Sequence, residues 1–253
     1  MRLAVIVPVF EEAQALRREL PRLLALDGVD RIVVSDGGSR DASQSAVHDA
    51  VRDADAAARV AWLSGSPGRG PQLARGARRA LVDGADVLVF LHADTRLPAD
   101  APLVIRRALA DPAVVGGAFA LTFDAASIAA RPSLMWGARW INLRTRLTGR
   151  PLGDQAQFAR ADSYRAVGGF EDWPILEDLA LINALRHRGR LALLPDAVVT
   201  SGRRFITRGP LRTAAINWTI WLLFALGASP HRLARWYRAV RESSGGRSQP
   251  PDA

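Results

Sequence analysis

The sequence predicts an α/β fold: a mostly parallel sheet flanked by helices, followed by a basic, apolar helical appendage. Three observations carry this. From Leu3 to Leu91, apolar runs of strand length alternate with segments of helical spacing, the pattern of strand–helix–strand units. Two of those runs end in acidic turns, Ser35-Asp36-Gly37-Gly38-Ser39-Arg40-Asp41 and Leu91-His92-Ala93-Asp94-Thr95. Carboxylates at strand ends face the crevice in which open α/β sheets bind ligands. Finally, Ala197 to Arg241 holds eight arginines and no carboxylate around the apolar run Ala214–Ala228.

The elements follow in order. Leu3–Val9 is a strand and Ala13–Leu26 a helix, with Pro21 marking a kink or restart. Arg31–Val34 is a second strand that ends at Asp36, and Asp41 caps a helix running to about Asp53. A third strand, Arg59–Leu63, leads into the glycine-rich loop Ser64–Pro71, and a helix follows to about Val82. Asp86–Leu91 is the fourth strand. Beyond Pro112 the rhythm changes, with a strand at Val114–Phe123 and a helical segment over 127–148. That segment puts Trp136, Trp140, Leu143 and Leu147 on one stripe, with Arg139, Arg144, Arg146 and Arg150 elsewhere. It either packs on the sheet or meets a membrane or acceptor. Gly153–Arg160 and Gly168-Gly169-Phe170 read as strand and turn, Glu177–Arg188 as a helix, and Leu191–Leu194 and Ala197–Thr200 as short strands.

The 253 residues suit a main domain over 1–205, basic apolar helices over 206–242, and a polar disordered tail over 243–253. With no cysteine, disulfides and thiolate metal sites are excluded. The net charge of +9 comes from arginine alone, since lysine is absent. Such a balance suits an anionic partner, although a coding bias would leave the same mark. The N-terminal run Met1–Pro8 is too short for a signal peptide, so the expected location is the cytoplasm, at the inner face of the membrane. Ala214–Ala228 is apolar all round but shorter than the ~20 residues that span a bilayer. It reads as an interfacial helix, or else as a core or dimer helix.

No glycine-rich dinucleotide fingerprint follows the first strand, which continues Pro8-Val9-Phe10-Glu11-Glu12. That weighs against a dehydrogenase. Without lysine there is no phosphate-binding Gly-x-x-x-x-Gly-Lys loop either. Asp36 can accept from a base N–H or ribose hydroxyl, or simply hold its turn. Asp94 can hold a divalent cation that neutralises a leaving diphosphate. His92 joins it as a second metal ligand, bonds ribose or phosphate, or packs at the strand end. In Leu176-Glu177-Asp178-Leu179 a carboxylate near a helix N-terminus is favoured in its charged form. It can take a proton, or only stabilise the helix dipole.

These residues resemble family 2 glycosyltransferases, inverting enzymes of the GT-A fold. The matching features are Val7–Glu12, Val34–Asp41, Leu91–Asp94, Gly116-Gly117-Ala118-Phe119, Gly153-Asp154-Gln155, Gly168-Gly169-Phe170 and Glu177-Asp178, in the family's order over residues 3 to about 205. Small bacterial members of the diaponeurosporenoate-type glucosyltransferases look most similar. The resemblance implies a nucleoside-diphosphate sugar, UDP-linked, bound by Pro8, Glu12, Asp36, Arg69, His92, Ala93, Arg203 and Arg204. It implies Mg²⁺ or Mn²⁺ at Asp94 with His92, where the family's Asp-x-Asp has become His-x-Asp. Asp178, with Glu177, is the implied catalytic pair, and Asp154, Gln155 and Trp173 line the acceptor or sugar pocket. The expected reaction moves one sugar to a hydroxyl or carboxylate acceptor: one sugar because the Gln-x-x-Arg-Trp of processive members is missing, and a lipid-like acceptor because the C-terminus is basic and bears tryptophans. The rivals are a sugar-phosphate nucleotidylyltransferase and a non-catalytic nucleotide-sugar-binding membrane partner. Nucleic acid is not an expected partner, because the arginines surround an apolar helix and not stacking aromatics.

Overall fold

The structure is a computed structural model and describes residues 1–51, 54–171, 173–208 and 210–242. The expected tail at 243–253 lies outside the described residues. The first part runs β1 (Leu3–Val9), α1 (Ala13–Leu24), β2 (Arg31–Asp36), α2 (Ser43–Ala50), α3 (Ala54–Arg59), β3 (Val60–Ser64), α4 (Arg69–Val82) and β4 (Val87–Phe90). Next come β5 (Thr95–Arg96), α5 (Ala101–Ala108), β6 (Val114–Phe123), α6 (Ala125–Ala130) and α7 (Ser133–Thr148). A 3₁₀ turn at Gly153–Gln155 leads into β7 (Phe158–Arg160), α8 (Ala161–Ala166), α9 (Glu177–Arg186) and β8 (Arg190–Thr200). The chain then closes with α10 (Arg203–Arg208), α11 (Pro210–Ala225) and α12 (Pro230–Glu242).

The strands form one sheet in the order β3-β2-β1-β4-β7-β6-β8-β5. The first four are parallel neighbours, as are β6 and β8. The expectation of a mostly parallel sheet needs correction, because β7 runs antiparallel to both β4 and β6, and β5 runs antiparallel to β8. The sheet is mixed. Strands as short as β5 and β7, two and three residues, carry too little periodicity for their direction to be read from sequence.

The continuous apolar runs are strands covered on both faces. Along β1 the pleat sends Val5 and Val7 into a core with Leu16, Ile32, Val89 and Ile105. It sends Ala4 and Ile6 into another core with Leu73, Ala77, Leu88 and Leu181. Other expectations shift locally. The 127–148 helix is two helices, broken where Arg131 takes an extended conformation before Pro132. The two short strands near 191–200 are one strand, β8, with an irregular register where it faces Phe119 and Ala120. Asp41 lies outside the cap position, which Ala42 occupies, but its carboxylate still accepts the Ser43 N–H at 3.0 Å and the Ala13 N–H at 3.0 Å. That ties α1 to α2.

Gly116 and Gly117 in β6 let three strands pass close together. A Cβ on Gly117 would collide with the Ala192 carbonyl oxygen and lie 2.6 Å from the Phe158 ring. Gly117→Ala is therefore expected to destabilise the protein by about 1–3 kcal/mol through overpacking. Gly137, inside α7, has open space where a methyl would stand, with no atom within 4 Å. Gly137→Ala should stabilise by about 0.5–1 kcal/mol, because glycine is a poor helix former. Urea denaturation of the two variants measures both, and a neutral Gly117→Ala would refute the packing account.

Candidate active site

The C-terminal ends of β1, β2 and β4 lie side by side, at the end where an open α/β sheet offers its ligand crevice. Strands β1 and β2 are locked there: Gly37 N–H donates to the Val9 carbonyl at 2.9 Å, and the Gln72 amide donates to Val9 and Ser35 carbonyls at 2.6 and 2.9 Å. Strand β4 pairs with β1 only up to Ile6↔Phe90, with Leu91 N–H on the Ile6 carbonyl at 3.0 Å. Two residues later, Pro8 turns the same edge toward the departing β4 and has no N–H to leave unpaired. The proline thus sits where the sheet splits.

Around this crevice the loops are fixed by side chains. The Asp36 carboxylate is buried and accepts Gly38 N–H at 3.0 Å, Ser39 N–H at 3.1 Å and Ser39 Oγ–H at 2.6 Å. It shapes the Asp-Gly-Gly-Ser turn from within, and Gly38 supplies the φ of +89° that the turn requires. Glu11, at φ +55°, accepts the Arg40 N–H at 2.7 Å and so joins the two loops. Arg203, at the start of α10, donates to Glu12 Oε2 at 3.4 Å, which brings the last helices to the mouth of β1. The Arg204 side chain lies outside the described residues.

At the end of β4 the chain turns tightly, with Thr95 N–H on the His92 carbonyl at 3.1 Å, Ala93 buried, and the Thr95 hydroxyl 3.4 Å from Asp94 Oδ1. No group of three or more His, Asp or Glu side chains able to hold a metal occurs among the described residues. Asp94 and His92 share this turn at the crevice. The Asp94 carboxylate suits a Mg²⁺ or Mn²⁺ ion that takes its other ligands from water and substrate phosphates, and Mn²⁺ tolerates the His92 imidazole better than Mg²⁺ does.

A cluster of charge forms where α4 and α9 begin. Glu177 and Asp178 open α9, and both are buried. Arg69, the first residue of α4, donates to Glu177 Oε1 and lies 3.7 Å from Asp178 Oδ2. Asp178 Oδ2 accepts the Gly153 N–H at 2.6 Å, and Oδ1 accepts the Leu179 N–H at 2.8 Å. A Cβ on Gly153 would lie 2.9 Å from Asp178 Oδ2 and collide with the Arg69 guanidinium, so a side chain there would displace one of them. Burial pushes the Glu177 carboxyl up, and the Asp178 charge adds to this, while Arg69 opposes both. Burial likewise pushes Asp154 up to about 6, helped by Asp178 and opposed by Arg144 and Arg69. Its Oδ1 is shut off from solvent without a hydrogen-bond partner.

The structure thus brings Arg69, Asp154, Glu177 and Asp178 together, and places Pro8, Glu12, Asp36, His92, Ala93, Asp94 and Arg203 around the facing strand ends. Two expected pocket residues make contacts with neighbouring elements. Gln155 is buried, with its amide on the Phe119 carbonyl at 3.1 Å and its oxygen on the Thr145 hydroxyl at 2.8 Å. The Trp173 ring packs 5.8 Å from Phe224 of α11. Sequence reading passed over Gln72 and Arg75 and gave Arg144 no part in the site. Arg75 donates to the Asp36 carbonyl at 2.5 Å, and Arg144 balances Asp154 and Asp178. All three lie on helices where they read as ordinary polar faces, so no local signal marked them.

Because the Asp154 value lies above the ordinary 3.8, its contribution to stability is present below about pH 4 and is lost as pH rises through about 6. Asp154→Asn should therefore be more stable than the parent at pH 7–8, by about 1–3 kcal/mol, with the gain vanishing near pH 4. Thermal melts across that range check this, and a pH-independent difference would refute the assignment.

The sequence model described as Glycosyl transferase family 2 matches residues 4–164. No curated protein matches the chain in sequence. Among solved structures, the mannosyltransferase PcManGT from Pyrobaculum calidifontis, in complex with GDP-Man and Mn²⁺, superposes with a TM-score of 0.57 at 20% identity, over 79% of this chain and 56% of that one. Residues 1–349 of S. aureus TarS, in complex with UDP, give 0.59 at 14% identity, over 81% and 62%. Glucosyl-3-phosphoglycerate synthase from Mycobacterium tuberculosis, with Mn²⁺, UDP and glucosyl-3-phosphoglycerate, gives 0.50 at 17% identity, over 78% and 70%. The chain spans less than two thirds of the length of the first two, and all three likenesses concern the fold, that of GT-A glycosyltransferases. With the family match covering well over half its length, on the fold these enzymes share, the chain belongs to glycosyl transferase family 2.

Proposed function

We propose that the protein moves a single sugar, with inversion, from a nucleoside-diphosphate sugar, UDP-linked by preference, to a hydroxyl or carboxylate acceptor. The observation that carries this is Asp178: a carboxylate at a helix N-terminus, held by two backbone N–H groups beside Arg69 and Glu177. The acceptor is proposed to be lipid-like, such as a carotenoid acid, met at the inner face of a membrane to which the protein attaches peripherally. The proposed division is a catalytic body over 1–205 and a basic appendage over 206–242.

In this reading the loops after β1 and β2 receive the nucleoside. Pro8 leaves the sheet edge open, Glu12 lies at its mouth, and Asp36 keeps the turn amides in place while its outer lone pairs accept from base or ribose. Arg203, with Arg204 beside it in sequence, meets the diphosphate; paired guanidiniums suit phosphate oxygens. Asp94, with His92, would hold Mg²⁺ or Mn²⁺, which when bound neutralises charge on the leaving diphosphate. Inversion requires one displacement from the face opposite the diphosphate; Asp178 takes the proton of a hydroxyl acceptor in that step, whereas an acceptor acid, already ionised at neutral pH, attacks through its own carboxylate oxygen. Arg69, which bonds Glu177 and lies 3.7 Å from Asp178 Oδ2, keeps Asp178 oriented. Asp154 and Trp173 flank the space for sugar or acceptor, with Gln155 holding the floor.

Release of UDP from a UDP-sugar in Mn²⁺ tests the reading. Asp178→Asn is expected to lower kcat by about 10²–10⁴ with donor-induced thermal stabilisation retained. Asp94→Ala should remove the metal dependence together with the turnover. Comparing stabilisation by UDP-, GDP- and dTDP-sugars fixes the donor class. Turnover that persists in Asp178→Asn would overturn the proposed base, and binding without turnover in the parent would leave only a nucleotide-sugar binder.

A further inference from the structure

Large apolar side chains stand in water on two neighbouring helices. On α7, Trp136 is 67% exposed, Trp140 51% and Leu147 76%. On α11 and the turn after it, Trp218 is 45% exposed, Leu222 55% and Leu226 75%. The two sets meet where the Trp140 and Trp218 rings lie 6.4 Å apart. A helix on a water-soluble domain normally turns its apolar stripe toward the core. Helix α7 does the reverse, burying Leu134, Ala138 and Thr145 and leaving the stripe outside. Contiguous exposed apolar surface of this kind marks an interaction site.

The charge around the patch selects the partner. Residues 125–153 contain five arginines and no carboxylate, and Ala197–Arg241 contain eight and none. Arg139 and Arg146 are exposed on α7, and the Arg139 guanidinium lies 5.0 Å from the centre of the Trp136 ring. A second copy meeting this face across a two-fold axis would set arginine against arginine with no carboxylate to pair. An anionic bilayer offers phosphates for the guanidiniums and an acyl boundary for the rings. At 16 residues, α11 is about 24 Å long, short of the ~30 Å hydrocarbon layer. No helix among the described residues is long and apolar enough to cross a membrane.

We infer that the joined outer faces of α7 and α11 form one docking surface for an anionic lipid bilayer, on which both helices lie in the plane of the interface. This rests on the proposed function and narrows it. The inner side of α7 carries Thr145, whose hydroxyl donates to Gln155 at 2.8 Å, and Arg144, whose charge acts on Asp154 and Asp178. Docking α7 therefore sets the carboxylate cluster one helix diameter from the lipid headgroups, where a lipid-like acceptor presents its polar end.

Co-sedimentation of the full chain with vesicles tests the surface, using phosphatidylcholine alone and phosphatidylcholine mixed with phosphatidylglycerol. Binding should be at least about tenfold stronger on the anionic vesicles and should weaken with added salt. The double variant Trp136→Ser, Leu147→Ser changes only exposed side chains. It should bind at least about tenfold more weakly, with an unchanged melting midpoint and unchanged UDP-sugar hydrolysis in solution. Absent vesicle binding, equal binding to neutral vesicles, or full binding by the double variant would each overturn the inference. So would a concentration-dependent dimer that the same substitutions abolish, which would give the face to a second copy. Hydrolysis without vesicle binding sinks the docking surface alone, whereas vesicle binding without hydrolysis upholds it and sinks the transfer reading.

Discussion

Three carboxylates, Asp154, Glu177 and Asp178, crowd together beneath the crevice, and such a group is tolerable in a protein interior only if cations stand among them. Arg69 and Arg144 provide that balance. Arg69 comes from the start of α4, Arg144 from α7, Asp154 from the 3₁₀ turn and the acidic pair from α9. One electrostatic requirement therefore binds four distant stretches of chain into a fixed arrangement. The missing side chain of Gly153 gives the guanidinium and the Asp178 carboxylate room to meet.

A similar constraint governs the facing loops. Asp36 and Gln72 commit their hydrogen bonds to backbone groups at the ends of β1 and β2. Those strands end in a rigid shelf, and Arg203 reaches the shelf through Glu12. A nucleotide-sized anion entering between shelf and cluster would meet Asp94 and His92 at the end of β4. Rigid placement matters in a glycosyltransferase because group transfer gains rate from orientation, and small displacements of the reacting groups forfeit much of it.

Behind the cluster, α7 has two working sides. Its buried residues support Gln155 and the floor, and its exposed tryptophans point away from the body. Helix α11 meets it through Trp218 and meets the loop before α9 through Phe224. Helix α11 is thus packed against α7 and against the loop that leads into α9, the elements around the buried carboxylates.

Much of this was legible in the chain itself. Apolar runs buried on both faces announce β1, β2, β4 and β6, because a strand covered by helices has no polar side. Asp36, Asp94 and Asp178 could be singled out because each follows a strand or opens a helix, which are local facts. What the chain could not show was direction and partnership. The antiparallel course of β7 and β5 depends on where short strands dock. The pairing of Arg69 with Glu177 joins residues 108 positions apart. The stripe on α7 was visible as a stripe, but periodicity gives a helix its faces without saying which one meets the core. Only the packed fold decided that the tryptophans face outward, because burial is settled by neighbours that lie far away in sequence.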